Sequence, residues 1–123
     1  MSELVLDHAN HVVFVTPVVC DEDARKYLPG ILGSRGVDPA PAMALLAEFE
    51  PIIRAVDEST YPVARMEALA RIEMRDARAW PVLATALVLC SPIWTEDKDF
   101  FGTGVPTWTS DRVALCLNAA DRE

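Results

Sequence analysis

WPVLATALVLCSPIWTEDKDFFGTGVPTWT, residues 80–109, reads as a buried helix, a short apolar strand with acids at its C-terminal end, and a second short strand. Trp80, Leu83, Ala84, Leu87 and Val88 recur at helical spacing, which predicts one apolar face over about three turns. Ser91-Pro92 ends that helix, because a proline disfavours helical geometry in the residue before it. Ile93-Trp94-Thr95 is too short and too apolar for a surface strand and is expected inside a covered parallel sheet. Glu96, Asp97 and Asp99 follow at once. In open α/β sheets, ligands bind just outside the carboxyl ends of the strands, which is where these carboxylates would sit.

Upstream, Leu4-Val5-Leu6 begins an apolar segment that either ends a helix at about His8 or forms a strand. HVVFVT, residues 11–16, is β-branched and aromatic and predicts a strand. Thr16-Pro17 then supplies an N-cap and a first helical proline, for a helix expected to stop at Pro29-Gly30. GILGSRGVDPAP, residues 30–41, is a loop that ends in the Asp38-Pro39 start signal. Ala42, Leu45, Leu46, Phe49, Ile52 and Ile53 trace an amphipathic helix that Pro51 should kink or end. A short strand is expected over 53–56. A helix opening at Ser59 or Thr60 carries Val63, Met66, Ala70 and Ile72 inward, and RIEMRDARA, residues 71–79, is read as a charged connection. After Thr109, residues 110–123 begin with a serine cap and form a helix or tail. Strands alternating with helices imply an α/β fold, a three-layer α/β/α sandwich around a mainly parallel sheet.

The 123 residues fit one domain, 1–123, and a hydrophobic fraction of 51% is enough to pack an ordinary core. Membrane insertion is not expected, since no apolar run nears the roughly 20 residues of a span. MSELVLDHAN lacks the basic start and apolar segment of a secretory leader, so a cytoplasmic location is expected. Cys20, Cys90 and Cys116 show no pairing pattern and are read as small buried hydrophobes in a reducing compartment. A net charge of -8 argues against a nucleic-acid clamp built on lysine and arginine. It leaves open a site that meets phosphate through a divalent cation, and equally a basic protein partner.

The densest chemistry is acidic. Asp21, Glu22 and Asp23 open the helix after the first clear strand, Asp76 precedes the core helix, and Glu96, Asp97 and Asp99 follow the later strand. Carboxylates gathered at one sheet edge repel, and a divalent cation relieves that repulsion while activating a water for attack on phosphorus. The plainer alternative is that first-turn acids favour the helix dipole and the rest sit in solvated loops. His8 and His11, with Asp7 beside them, are a weak metal pair. Gly102-Thr103-Gly104 is read as a tight turn and not a phosphate cradle, because no helix start follows it. Trp94 and Trp108 are expected to pack, although indole rings can also stack on bases.

Taken together, W-P-V-L-A-T-A-L, P-I-W-T-E-D-K-D-F-F and G-V-P-T-W-T resemble the C-terminal half of a PIN domain, the fold of VapC-type toxins. V-F-V-T-P-V-V-C-D-E-D-A-R-K-Y-L-P resembles that family's second strand and acid-bearing helix. The resemblance runs from about Val12 to Thr109 and implies a magnesium- or manganese-dependent endoribonuclease. By position, Asp97 and Asp99 match the acids after the later strand, and Asp23 matches the acid of the early helix, with Glu22 as fallback.

Two departures accompany it. The family begins with an aspartate-bearing strand and a helix; residues 1–11 resemble only the end of that helix, so the strand is expected to be missing. Aligning Leu4–Asn10 with it would give Asp7 the role and remove the helix. The family also places an acid immediately before the residue matched by Trp80, where this chain has Ala79; Asp76, one turn earlier, is the expected substitute. The implied reading is a toxin-type ribonuclease, a hydrolase acting on RNA and held in check by a cognate antitoxin. The competing one is a degenerate module that binds protein or RNA and cleaves nothing. A missing central strand leaves an open edge, so a homodimer or an unusual sheet order is expected.

Overall fold

A computed structural model describes residues 2–120. The order is α1 (Ser2–His8), β1 (Phe14–Pro17), α2 (Val18–Ser34), α3 (Ala40–Phe49), β2 (Ile53–Val56), α4 (Arg65–Asp76), α5 (Trp80–Leu89), β3 (Ile93–Trp94), β4 (Thr107–Trp108) and α6 (Val113–Ala120). Short 3-10 turns at Tyr61–Ala64, Ala77–Ala79 and Lys98–Phe100 join the later elements. This is the expected α/β architecture with parallel strands.

The sheet is divided. β1 pairs in parallel with β2, Phe14 opposite Ile53 and Pro17 opposite Val56, and β3 pairs in parallel with β4, Ile93 opposite Thr107. Among the described residues no strand joins the two pairs, and none precedes β1. The segment ahead of β1 is instead helical. Across the division, Phe14 and Trp94 bring their rings to 6.2 Å. Ile93 and Thr95 give their N–H groups to Pro106 and Trp108, so the alternation of a parallel ladder turns the Trp94 amide away from β4.

α5 holds the molecule together because it is apolar nearly all round, as a buried helix must be. Leu83 and Ala84 are fully buried, with Pro81, Thr85 and Ala86 nearly so. The helix packs on α4, on the Tyr61 turn, on β1 and on β3. Thr85 satisfies its hydroxyl on the Pro81 carbonyl at 2.8 Å. Cys90 ends the helix in the left-handed conformation, φ 52°, one residue before Ser91-Pro92.

Several expectations shift. α2 runs through Pro29 to Ser34, since a proline costs one backbone bond but does not forbid the following turns. Its end comes at Gly36, φ 73°, where the amides of Gly36 and Val37 return to Gly33 and Leu32. Residues 71–76 are helix and not connection: Glu67 and Arg71 pair one turn apart at 2.5 Å, and Ile72 is fully buried. Because the Tyr61–Ala64 turn resets the phase, the inward face of α4 is Ala68 and Ile72, while Val63, Met66 and Ala70 are exposed. Strand β1 begins at Phe14, with His11 in the turn that closes α1. The cysteines are free as expected, but none is buried: Cys20 and Cys116 are half-buried and Cys90 is exposed. No helix among the described residues is long and apolar enough to cross a membrane.

Candidate metal centre

Asp76 is the last residue of α4. Its backbone leaves the helix for an extended conformation, and its Oδ1 accepts the Arg78 amide at 3.1 Å, starting the 3-10 turn that leads into α5. The aspartate is therefore fixed where two helical segments meet. Ala79, at the end of that turn, is half-buried and contributes no polar atom to the site.

Asp97 and Asp99 lie on the loop after β3. The ladder extends to the Thr95 amide, which donates to the Trp108 carbonyl at 3.0 Å, and the Thr95 hydroxyl then accepts the Asp97 amide at 3.0 Å. Asp97 Oδ1 in turn accepts the Asp99 amide at 2.9 Å and caps the turn at Lys98–Phe100. Phe100 is buried in the main core cluster, which anchors the loop from below. Two aspartates are thus set by one strand end and one capped turn. Glu96 turns elsewhere, its Oε1 accepting the Ser110 amide at 2.6 Å.

α4 reaches across to the same loop. Arg75 donates through Nη1 to the Asp99 carbonyl at 2.8 Å and to the Phe101 carbonyl, and Arg71 donates to the Thr103 carbonyl at 2.9 Å. Gly102 and Gly104, with φ of 82° and 88°, form the turn beneath these guanidinium groups. Thr103 between them is buried and donates its hydroxyl to the Phe100 carbonyl. The Gly-Thr-Gly run is a turn, as expected.

The result is a cluster. One carboxylate oxygen each from Asp76, Asp97 and Asp99 lies within 4.8 Å of the others, and this is the one such group of three potential ligands among the described residues. Asp97 is exposed, while Asp76 and Asp99 are partly covered. The donor set suits magnesium or manganese: the ligands are hard oxygens, and an open side leaves room for the waters magnesium keeps. Arg78 Nε stands 3.9 Å from Asp76 on an almost fully exposed side chain, too far and too solvated to neutralise three carboxylates.

Asp23 is not a member of this group. It is exposed on α2, as is Glu22, while Asp21 faces Arg25 one turn on at 3.3 Å. Burial, with Asp23 next in effect, pushes the Cys20 thiol up from its ordinary value. Asp7 is exposed on α1. His8 is buried, with Nδ1 on the Leu4 carbonyl at 2.9 Å and Nε2 on Asn118 Oδ1 at 3.1 Å, so it ties α1 to α6. His11 rests edge-on against its ring. Asp57 follows β2 and accepts bonds from Ser59 and Thr60 in the turn that comes next. Hydrogen bonds from Ser59 hold its carboxyl below the usual range, with Thr60 adding a weaker one. Trp94 is half-buried and donates its indole N–H to Ser110 at 3.0 Å.

Arg71 and Arg75 carry no motif and were not readable as site residues. Their one signal is spacing: two arginines a helical turn apart, on the helix that ends in Asp76. A family model described as PIN domain matches residues 1–118. No curated protein and no solved structure gives a match.

Proposed function

The chain belongs to the PIN domain family, whose members point to nuclease activity, and from that premise we propose that it is a divalent-metal-dependent endoribonuclease. The observation that carries the reading is the convergence of Asp76, Asp97 and Asp99. These three residues would hold magnesium or manganese. When bound, the cation supplies charge neutralisation and a water acidified for attack on a phosphodiester. The chain does the rest. The capped turn at Asp97 fixes two carboxylates, the end of α4 fixes the third, and the exposed cations Lys98, between Asp97 and Asp99 in the chain, and Arg78, 3.9 Å from Asp76, would meet a substrate phosphate. Asp76 takes the place left by Ala79. Asp23 stays in the proposal as an acid that acts from outside the three-residue group.

The toxin-type role, a cognate antitoxin and a homodimer belong to the same reading. The support for assembly is physical: a sheet divided into two pairs leaves strand edges open, and open edges accept another chain. Ala79 and the helix in place of a first strand favour the second reading, an inactive module that binds RNA or protein. One experiment separates them. Cleavage of RNA that requires added magnesium or manganese, and disappears in Asp97→Asn and Asp76→Asn, supports the nuclease. Asparagine keeps the capping oxygen of Asp97, so loss reflects the charge and not the turn. No cleavage, together with no rise in melting temperature on adding manganese, would overturn it, since a bound cation must stabilise the fold it prefers.

A further inference from the structure

We infer that Arg75, backed by Arg71, is a positioning residue for the acidic centre: it draws the loop carrying Asp97 and Asp99 onto the end of α4, where Asp76 waits. The inference rests on the metal reading above and goes beyond it to the groups that assemble the site. Arg75 and Asp76 are neighbours on the last turn of α4, so the residue that grips the loop and the residue that supplies the third carboxylate move as one body. The grip is on the backbone. Arg75 donates to the carbonyls of Asp99 and Phe101, one on each side of the buried Phe100, while Arg71 takes the Thr103 carbonyl and is itself steadied by Glu67.

The loop is shaped to receive these groups. A Cβ on Gly102 would stand 3.3 Å from Arg75 Nη2, and one on Gly104 would stand 2.8 Å from Arg71 Nη1. Both glycines also have positive φ, which a side chain would strain. Three carboxylates at this separation repel, and with no cation bound that repulsion drives the loop away from α4. Bonds to the carbonyl of Asp99 oppose the drift without neutralising the carboxylates, which stay free for a metal. Both bonds leave the one nitrogen Nη1, which the rigid, planar guanidinium holds in place between the two carbonyls; a lysine ammonium has donors enough but sits on a freer stem, so it holds the loop less firmly.

The test is manganese affinity of the full chain, read from the electron paramagnetic resonance signal of free Mn2+, in wild type, Arg75→Ala, Arg75→Lys, Asp97→Asn and Arg25→Ala. The expected result is binding by wild type, a loss of roughly tenfold or more in Arg75→Ala, as for other residues that orient ligands, and an intermediate value in Arg75→Lys. Arg25→Ala removes an equal charge from α2, where Arg25 pairs with Asp21, and should bind as wild type does. If Arg75→Ala retains wild-type affinity while Asp97→Asn loses it, the positioning role is overturned and the metal centre stands. An equal loss in Arg25→Ala also overturns it, because the effect is then one of net charge. If wild type binds no manganese at millimolar concentration, both readings fall. Should Arg75→Ala not fold, Arg75→Lys decides: intermediate affinity supports the role and unchanged affinity removes it.

Discussion

Residues 61–100 supply the whole main core cluster, Tyr61, Ala68, Ile72, Leu83, Ala84, Ala86, Ile93 and Phe100, whereas α2 and α3 contain no fully buried side chain. The two regions are similarly apolar in places, yet only one is packed on all sides. α2 lies against the β1–β2 pair and α3 packs on α2, both half-covered, with Tyr27, Ile31 and Leu45 exposed. The three clustered carboxylates come from the packed region, two from the loop over Phe100 and one from the end of the helix that buries Ile72. Asp23 sits in the other. A ligand set needs rigid supports, because carboxylates that repel stay together only where the backbone beneath them cannot yield.

The contrast breaks most directly on stability. Leu83→Ala should destabilise the chain by roughly 2–5 kcal/mol, the range for a fully enclosed leucine that leaves a cavity. Leu46→Ala, on the half-covered face of α3, should cost well under half as much, since water can fill the space. Equilibrium unfolding in urea measures both. Equal costs would mean that α3 is as firmly packed as α5.

Next in size is the response to manganese. A ligand present at about a hundred times its Kd adds roughly 2.7 kcal/mol of stability, and Asp97→Asn should abolish the matching rise in melting temperature. Asp23→Asn should keep most of it, because Asp23 is not among the three converging residues. A loss in Asp23→Asn as large as that in Asp97→Asn would put α2 inside the centre and erase the distinction between the regions.

What could be read beforehand follows the same division. The 80–109 stretch was legible because helical periodicity, the Ser91-Pro92 stop and an acidic run after a short strand are local signals. Asp97 and Asp99 came with it. Asp76 was legible only through its distance from Ala79, since nothing local says that α4 breaks there and begins a new turn. The phase of α4 is non-local as well: unbroken helical spacing from Ser59 or Thr60 points Val63 and Met66 inward, and the 3-10 turn at Tyr61–Ala64 rotates the buried face to Ala68 and Ile72. The division of the sheet is a non-local fact. It depends on which strands find neighbours, and no residue in β1 or β3 announces an unpaired edge. Arg71 and Arg75 were hidden for the same reason, because their partners are backbone carbonyls some 24 to 32 positions away.

Glycine substitutions sharpen the contrast on a smaller scale, with opposite signs. Gly30 and Gly33 lie inside α2, and a Cβ there meets nothing within 4 Å. Gly33→Ala should therefore stabilise by roughly 0.5–1 kcal/mol, the helical advantage of alanine over glycine. Gly104→Ala must fit a Cβ 2.8 Å from the Arg71 guanidinium at φ 88° and should destabilise. If Gly104→Ala proves neutral, the arginine grip on the loop is looser than the geometry indicates. Thermal melts of the two variants side by side settle the signs.

The smallest effect concerns thiol reactivity. Only the thiolate is alkylated at an appreciable rate, so a thiol whose pKa is raised reacts more slowly at a given pH. Burial, and then Asp23, push the Cys20 thiol up, whereas Cys90 is exposed at the end of α5. At mildly alkaline pH, iodoacetamide should label Cys90 before Cys20, as peptide mass spectrometry would resolve. Raising the pH should narrow the gap as Cys20 deprotonates. Asp23→Asn removes the negative charge that disfavours the Cys20 thiolate, so it should speed Cys20 alone. Because burial is the larger cause, that acceleration should be modest and should leave Cys90 ahead. A Cys20 rate that overtakes Cys90 in Asp23→Asn would mean that the charge, not the covering of α2, controls this thiol. An unchanged rate would place the Asp23 carboxylate away from Cys20, freeing it to act elsewhere, including toward the acidic centre it does not join in this arrangement.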